Sequence, residues 1–125
     1  MSANDSANRD RIRVLVEQYI QAMNENDMSG LPLDHNVVMT GPMIPTPIEG
    51  EEGVRNHLQQ VAPFVGRLSL LDLVIEGDKA VAVMHYEGIN GVRFEGCQYF
   101  RFDEGRITQD RVFYDTAPLL KGPDA

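Results

Sequence analysis

Tyr19, Gln98 and Asp110 are polar groups set inside segments otherwise patterned to cover a core. A phenol donates well to a developing oxyanion when it is desolvated and aimed at that oxygen. A glutamine amide can donate too, but it cannot act as an acid. A carboxylate partly removed from water has a raised pKa and can exchange protons. If all three face one cavity, they form an acid/base or ligand-orienting site. Each also has an ordinary structural use. A helix tyrosine packs its ring and satisfies its hydroxyl locally. A strand glutamine bonds a neighbour or water, and an edge aspartate pairs with Arg106 or Arg111.

His85 lies in the apolar run VAVMHYEG. It is a candidate proton shuttle beside Asp110, or else a residue of the outer sheet face or a dimer contact. Alternation alone does not decide which face it takes. Met23, Met39, Met43, Phe64, Met84, Phe94, Phe100 and Val112 are candidates to line an apolar pocket, and the same residue types also make ordinary core. His35 and His57 read as surface residues without a partner at metal-ligand spacing. HxH, HExxH and CxxC patterns are missing, so no metal is expected. Gly88, Gly91 and Gly96 do not form a phosphate-cradling GxGxxG, so no nucleotide or other cofactor is expected.

These residues must be positioned by regular elements. Residues 9–26 predict a helix, with Ile12, Leu15, Val16, Tyr19, Ile20 and Met23 at helical spacing. Residues 37–40 predict a short strand. Residues 41–53, GPMIPTPIEGEEG, hold three prolines, which argues for an ordered loop. Residues 53–62 predict a second helix with Val54, Leu58 and Val61 on one face, limited by Pro63 and Gly66. Four strands follow, over residues 67–76, 79–87, 92–102 and 106–114. Short turns between them favour antiparallel hairpins. In the last strand, alternation places Thr108, Asp110 and Val112 on one face. Helices first and strands later make an α+β architecture with one sheet face covered by the helices.

Length and charge bound the rest. The chain has 125 residues, enough for a single domain with a real core, here residues 9–120 between flexible termini at 1–8 and 121–125. Eleven basic and nineteen acidic residues leave a net charge of -8. No basic stripe meets phosphates, so neither nucleic acid nor an anionic membrane surface is an expected partner. Cys97 is the only cysteine, which rules out an intrachain disulfide and reads as a buried thiol. No leader-like or membrane-spanning run is present, which points to the cytoplasm.

The order of helix, Pro/Gly-rich loop, helix and long strands resembles the NTF2-like superfamily, and within it the SnoaL-like and ketosteroid-isomerase-like proteins. The resemblance spans roughly residues 9–120. Its firmest pieces are VEQYIQAMNENDMSG at 16–30, PIEGEEGVRNHL at 47–58 and YFRFDEGRITQDRVFYD at 99–115. It implies a cone-shaped fold, in which a strongly curved, mostly antiparallel sheet wraps the N-terminal helices around a deep apolar pocket. It further implies acid/base chemistry on a small hydrophobic, oxygen-bearing molecule: isomerisation, dehydration, cyclisation or hydrolysis. A non-catalytic binding or assembly module is the other implication, because this fold carries unrelated jobs. A homodimer through the outer sheet face is implied as well.

The resemblance also bears on single residues. Tyr19 matches the first-helix tyrosine of the isomerases, a donor to the enolate oxygen. Gln98 aligns with their strand aspartic acid, the second oxyanion donor. Their carboxylate base falls near Thr40 or Gly41, where this chain has none. Val112 stands where the related epoxide hydrolases carry a carboxylate, and Asp110 lies one step along the same face. Asp115 resembles a structural aspartate that closes the last strand.

Overall fold

The structure, a computed structural model, describes residues 3–121, with side chains described for residues 6–120. Helix α1 spans Ala3–Glu25, followed by strand β1 at Leu33–Thr40 and a two-residue strand β2 at Ile48–Glu49. Helix α2 covers Glu51–Val65. Strands β3 (Arg67–Glu76), β4 (Lys79–Glu87), β5 (Arg93–Asp103) and β6 (Arg106–Tyr114) come next, and a short helix α3 at Ala117–Lys121 closes the described chain.

The six strands form one curved sheet in the order β2-β1-β6-β5-β4-β3. From β3 to β6 every pair is antiparallel, as the short turns require. The exception is β1, which lies parallel to β6. The chain leaves β1 through β2 and α2, enters the sheet at its far edge with β3, and walks back until β6 meets β1. The sheet is therefore mixed. Both long helices are carried on its inner face.

Apolar spacing explains which helix faces are buried. Ile12, Val16, Tyr19 and Met23 form one buried stripe on α1, and Val54, Leu58 and Ala62 form the matching stripe on α2. They meet inward-facing Leu68, Ala82, Met84, Phe100 and Ile107 from the sheet. Helix α1 stops where Asn26 takes a left-handed φ of 56°. The Asp27 and Asn26 amides then return to the carbonyls of Ala22 and Met23, a closure that asparagine tolerates well.

Several boundaries differ from expectation. Residues 3–8 extend α1 rather than fraying, and the Asn8 amide donates to the Gly77 carbonyl at 2.7 Å in the β3–β4 turn. That turn supplies a partner which local polarity does not reveal. Of the tail, Lys121 ends α3, and residues 122–125 lie outside the described residues. β1 starts at Leu33, so His35 lies in a strand rather than a turn. Pro63 falls inside α2, within its last turn, and Gly66 closes that helix through its amide to the Ala62 carbonyl. Gly66 has φ 76°, and a Cβ there would sit 2.2 Å from the Glu87 carbonyl oxygen. Only glycine lets α2 abut the β4–β5 end of the sheet this closely.

Candidate functional site

Strand register brings the polar residues together. Asp110 on β6 pairs with Phe100 on β5 and Met39 on β1, and Gln98 pairs with Val112 and Ala82. Gln98 is thus a diagonal neighbour of Asp110 on the inner face, within reach of a long side chain. Tyr19 descends from α1 and sets its ring edge-on to Phe100, with centroids 5.0 Å apart. Tyr19, Gln98 and Asp110 are all essentially without solvent contact, at 1%, 2% and 1% exposure.

The Gln98 amide is the hub. Its Nε2 donates to the Tyr19 hydroxyl at 2.9 Å and to Asp110 Oδ1 at 2.9 Å. Its Oε1 accepts a longer hydrogen bond, 3.4 Å, from the Tyr86 hydroxyl. Asp110 Oδ2 is buried and has no hydrogen-bond partner among the described residues. An unsatisfied buried carboxylate oxygen is costly, and such a group either serves a function or holds a proton.

Electrostatics follow from this enclosure. Burial pushes the Asp110 carboxyl up to about 6, although hydrogen bonds from Gln98 and then Tyr19 pull the other way. Loss of water around the charged form outweighs two donors. Burial, reinforced by the nearby Asp110 charge, raises the Tyr19 phenol well above its ordinary value. The same two causes raise Tyr86. Both phenols therefore stay protonated at neutral pH and can donate.

Tyr86 is a member of the cluster that sequence reasoning missed. Its face follows from alternation with Ala80, Ala82 and Met84, all buried. Its reach depends on Gly96. A Cβ on Gly96 would lie 3.1 Å from Tyr86 Cε2 and 2.8 Å from the Phe113 carbonyl oxygen. The missing side chain lets the Tyr86 ring lean along β5 toward Gln98. Phe94 stacks on that ring at 4.7 Å with planes 6° apart, and Tyr114 packs beside both.

His85 does not join the cluster. It is part-buried on the opposite face of β4, paired with Glu95 and Ser69. Once Tyr86 turns inward, the strand pleat sends His85 outward. Cys97 is also on the outer face and only part-buried, not sealed in the core. Thr108 breaks the expected alternation, because a register shift between Arg101 and Phe102 leaves it as an extra residue. Ile107 and Asp110 therefore both point inward, with Val112 part-buried beyond.

Of the apolar candidates, Met23, Met39, Met84 and Phe100 are core, and Phe94 and Val112 are part-buried against it. Met43 and Phe64 instead face solvent, at 58% and 72% exposure. Phe64 lies two residues beyond Ala62, about 200° around the helix from the buried stripe. In the loop it is Ile44, not Met43, that packs against the core. Two open clefts lie elsewhere. One of about 1020 Å³ is bordered by His35, Glu49, Glu51 and Arg55. The other, of about 600 Å³, is bordered by Glu17, Asn24 and Arg67. Neither reaches Asp110. Among the described residues no group of three or more His, Cys, Asp and Glu is placed to hold a metal ion, and no helix is long and apolar enough to cross a membrane. Asp115 accepts from the Ala117 amide at 2.9 Å and so caps α3.

Two helices held in a curved, unclosed six-stranded mixed sheet, with a polar cluster at its inner face, define an NTF2-like α+β protein. The model of the SnoaL-like domain matches residues 16–110, and the chain belongs to that family. Solved structures agree on the fold. An NTF2-like protein of unknown function from Cytophaga hutchinsonii is 24% identical with a TM-score of 0.75, covering 86% of this chain and 93% of its own. An LEH-like epoxide hydrolase from M. tuberculosis is 24% identical with a TM-score of 0.78, covering 93% and 90%. A steroid delta-isomerase from Pseudomonas aeruginosa is 22% identical with a TM-score of 0.74, covering 89% and 84%. A search of curated proteins finds no sequence match.

Proposed function

We propose that the protein is an acid/base enzyme acting on a small hydrophobic molecule that bears a carbonyl, hydroxyl or epoxide oxygen. Asp110 moves the proton. Tyr19 orients the substrate oxygen and stabilises charge on it, and the Gln98 amide holds Tyr19 and Asp110 in place. One observation carries this reading: Asp110 Oδ2 is buried and has no hydrogen-bond partner among the described residues, while Oδ1 is held by Gln98 at 2.9 Å. A carboxyl titrating at about 6 can both take and give a proton near neutral pH. The related fold of a steroid isomerase and of an epoxide hydrolase supports the reaction classes, isomerisation and hydrolysis, and no particular substrate. His85, on the outer face, has no part in this chemistry.

The test is turnover on a panel of hydrophobic enones, ketones and epoxides. Asp110→Asn should lower any activity found by at least about a hundredfold. Undiminished turnover would remove Asp110 as the proton carrier.

A second reading, a binding or assembly module, is favoured by the absence of a carboxylate at Thr40, Gly41 and Val112 and by the apolar cover over the cluster. A panel that yields ligand binding without turnover would select it. Either reading accommodates a homodimer through the outer sheet face. There Val74 and Phe113 are 57% and 48% exposed, and the Arg111 guanidinium lies over the Tyr99 and Phe113 rings. A monomer in sedimentation at high micromolar concentration would contradict that assembly.

A further inference from the structure

We propose that Tyr86 is a positioning residue for Asp110, and that it acts by fixing which end of the Gln98 amide faces the carboxylate. The catalytic meaning of this rests on the acid/base reading above; the structural effect does not.

The two ends of the Gln98 amide offer opposite hydrogen-bonding groups. In the observed orientation Gln98 Nε2 spends both of its hydrogens inward, on Tyr19 and Asp110, at 2.9 Å each. Its Oε1 takes the Tyr86 hydroxyl at 3.4 Å. A rotation of the amide by half a turn would point Oε1 at Asp110. Two acceptors would then oppose each other, unless Asp110 carried a proton and became a donor. The orientation of Gln98 and the protonation of Asp110 are therefore linked. A donor placed at Oε1 favours the orientation with Nε2 toward Asp110, and that orientation favours the ionised carboxylate. Tyr86 is the donor at that position. It is held there by the stack on Phe94 and by the space that Gly96 leaves open.

Among the described residues, the groups that face the cluster are few. Tyr19 is the titratable group that α1 presents to Asp110, and β4 presents Tyr86. Tyr114 on β6 and Cys97 on β5 act on Tyr86. The buried α2 stripe and the β1 neighbour Met39 are apolar. Removing the Tyr86 hydroxyl leaves Gln98 Oε1 without its donor and frees the amide to turn. The ionised form of Asp110 then loses support, so its pKa rises.

The experiment is an NMR titration of the Asp110 carboxyl carbon in the full chain, with no substrate present. Tyr86→Phe keeps the ring stack, and it should move the midpoint upward by about half a pH unit or more. In a Gln98→Met background the same substitution should produce no further shift, because the link is gone. An unchanged midpoint in Tyr86→Phe, or an equal shift with Gln98→Met already present, would overturn the proposal. A wild-type measurement guards against a variant that does not fold. The Gln98 side-chain amide should give one slowly exchanging pair of protons whose shifts follow the Asp110 midpoint. An amide that exchanges freely, or whose shifts ignore that midpoint, would overturn it equally. Turnover enters none of these readouts, so this proposal and the enzymatic reading can fail separately.

Discussion

The inner and outer faces of strands β4 to β6 are made by alternate residues of the same chain, yet they treat charge in opposite ways. Inside, Tyr86, Gln98 and Asp110 are buried and bonded to one another, and Asp110 keeps one oxygen unpaired. Outside, His85, Tyr99 and Arg111 sit one residue away from them. There Arg111 is exposed, and its guanidinium covers two aromatic rings while remaining in water. A shift of one position along a strand thus separates a carboxylate that must be desolvated from a cation that need not be. The difference lies in what solvates each group. The inner face holds a carboxyl raised by burial, and the outer face leaves its charged group hydrated.

The largest expected effect breaks the inner face. Asp110 keeps its proton to about pH 6 when folded, against 3.8 as the ordinary value. As pH rises from about 4 to 6, the unfolded chain releases this proton first, so the native state binds more protons and stability falls. The shift corresponds to roughly 3 kcal/mol lost across that window, level above it. Asp110→Asn should remove this part of the slope, and denaturant unfolding of both proteins between pH 4 and 8 reads the difference. Parallel stability curves for the two proteins would show that the carboxyl is not strained by burial. The smallest effect sharpens the contrast. His85→Ala should change stability by less than about 0.5 kcal/mol, as for other substitutions away from the core. It should leave the Asp110 midpoint where it is. A moved midpoint would mean that the outer face communicates with the cluster after all.

Much of this was legible in the residues. Long apolar-alternating strands bounded by glycine and acidic turns announce themselves, and β3, β4 and β6 have the limits their patterns predict. The stripe on α1 places Tyr19 inward by spacing alone. Other features depend on contacts distant in sequence. The first residues of α1 look frayed until Gly77 supplies a partner for Asn8. The parallel pairing of β1 with β6 joins segments separated by most of the chain. Tyr86 looks like any strand tyrosine until Gly96, on the neighbouring strand, is seen to make room for it. The bulge at Thr108 has no local signature, although it decides that Ile107 and Asp110 share a face. Histidine is chemically versatile, but the pleat places His85 by the parity of Ala82 and Met84.

Asp110 is a buried acid poised close to neutrality. The carboxyl carbon of Asp110, followed by NMR from pH 3 to 9 in the unliganded protein, tests it without any substrate. A single titration with a midpoint near 6 is expected. A midpoint near 4 would mean that water or another donor reaches Oδ2, and would contradict both the buried acid and the proton transfer proposed for it.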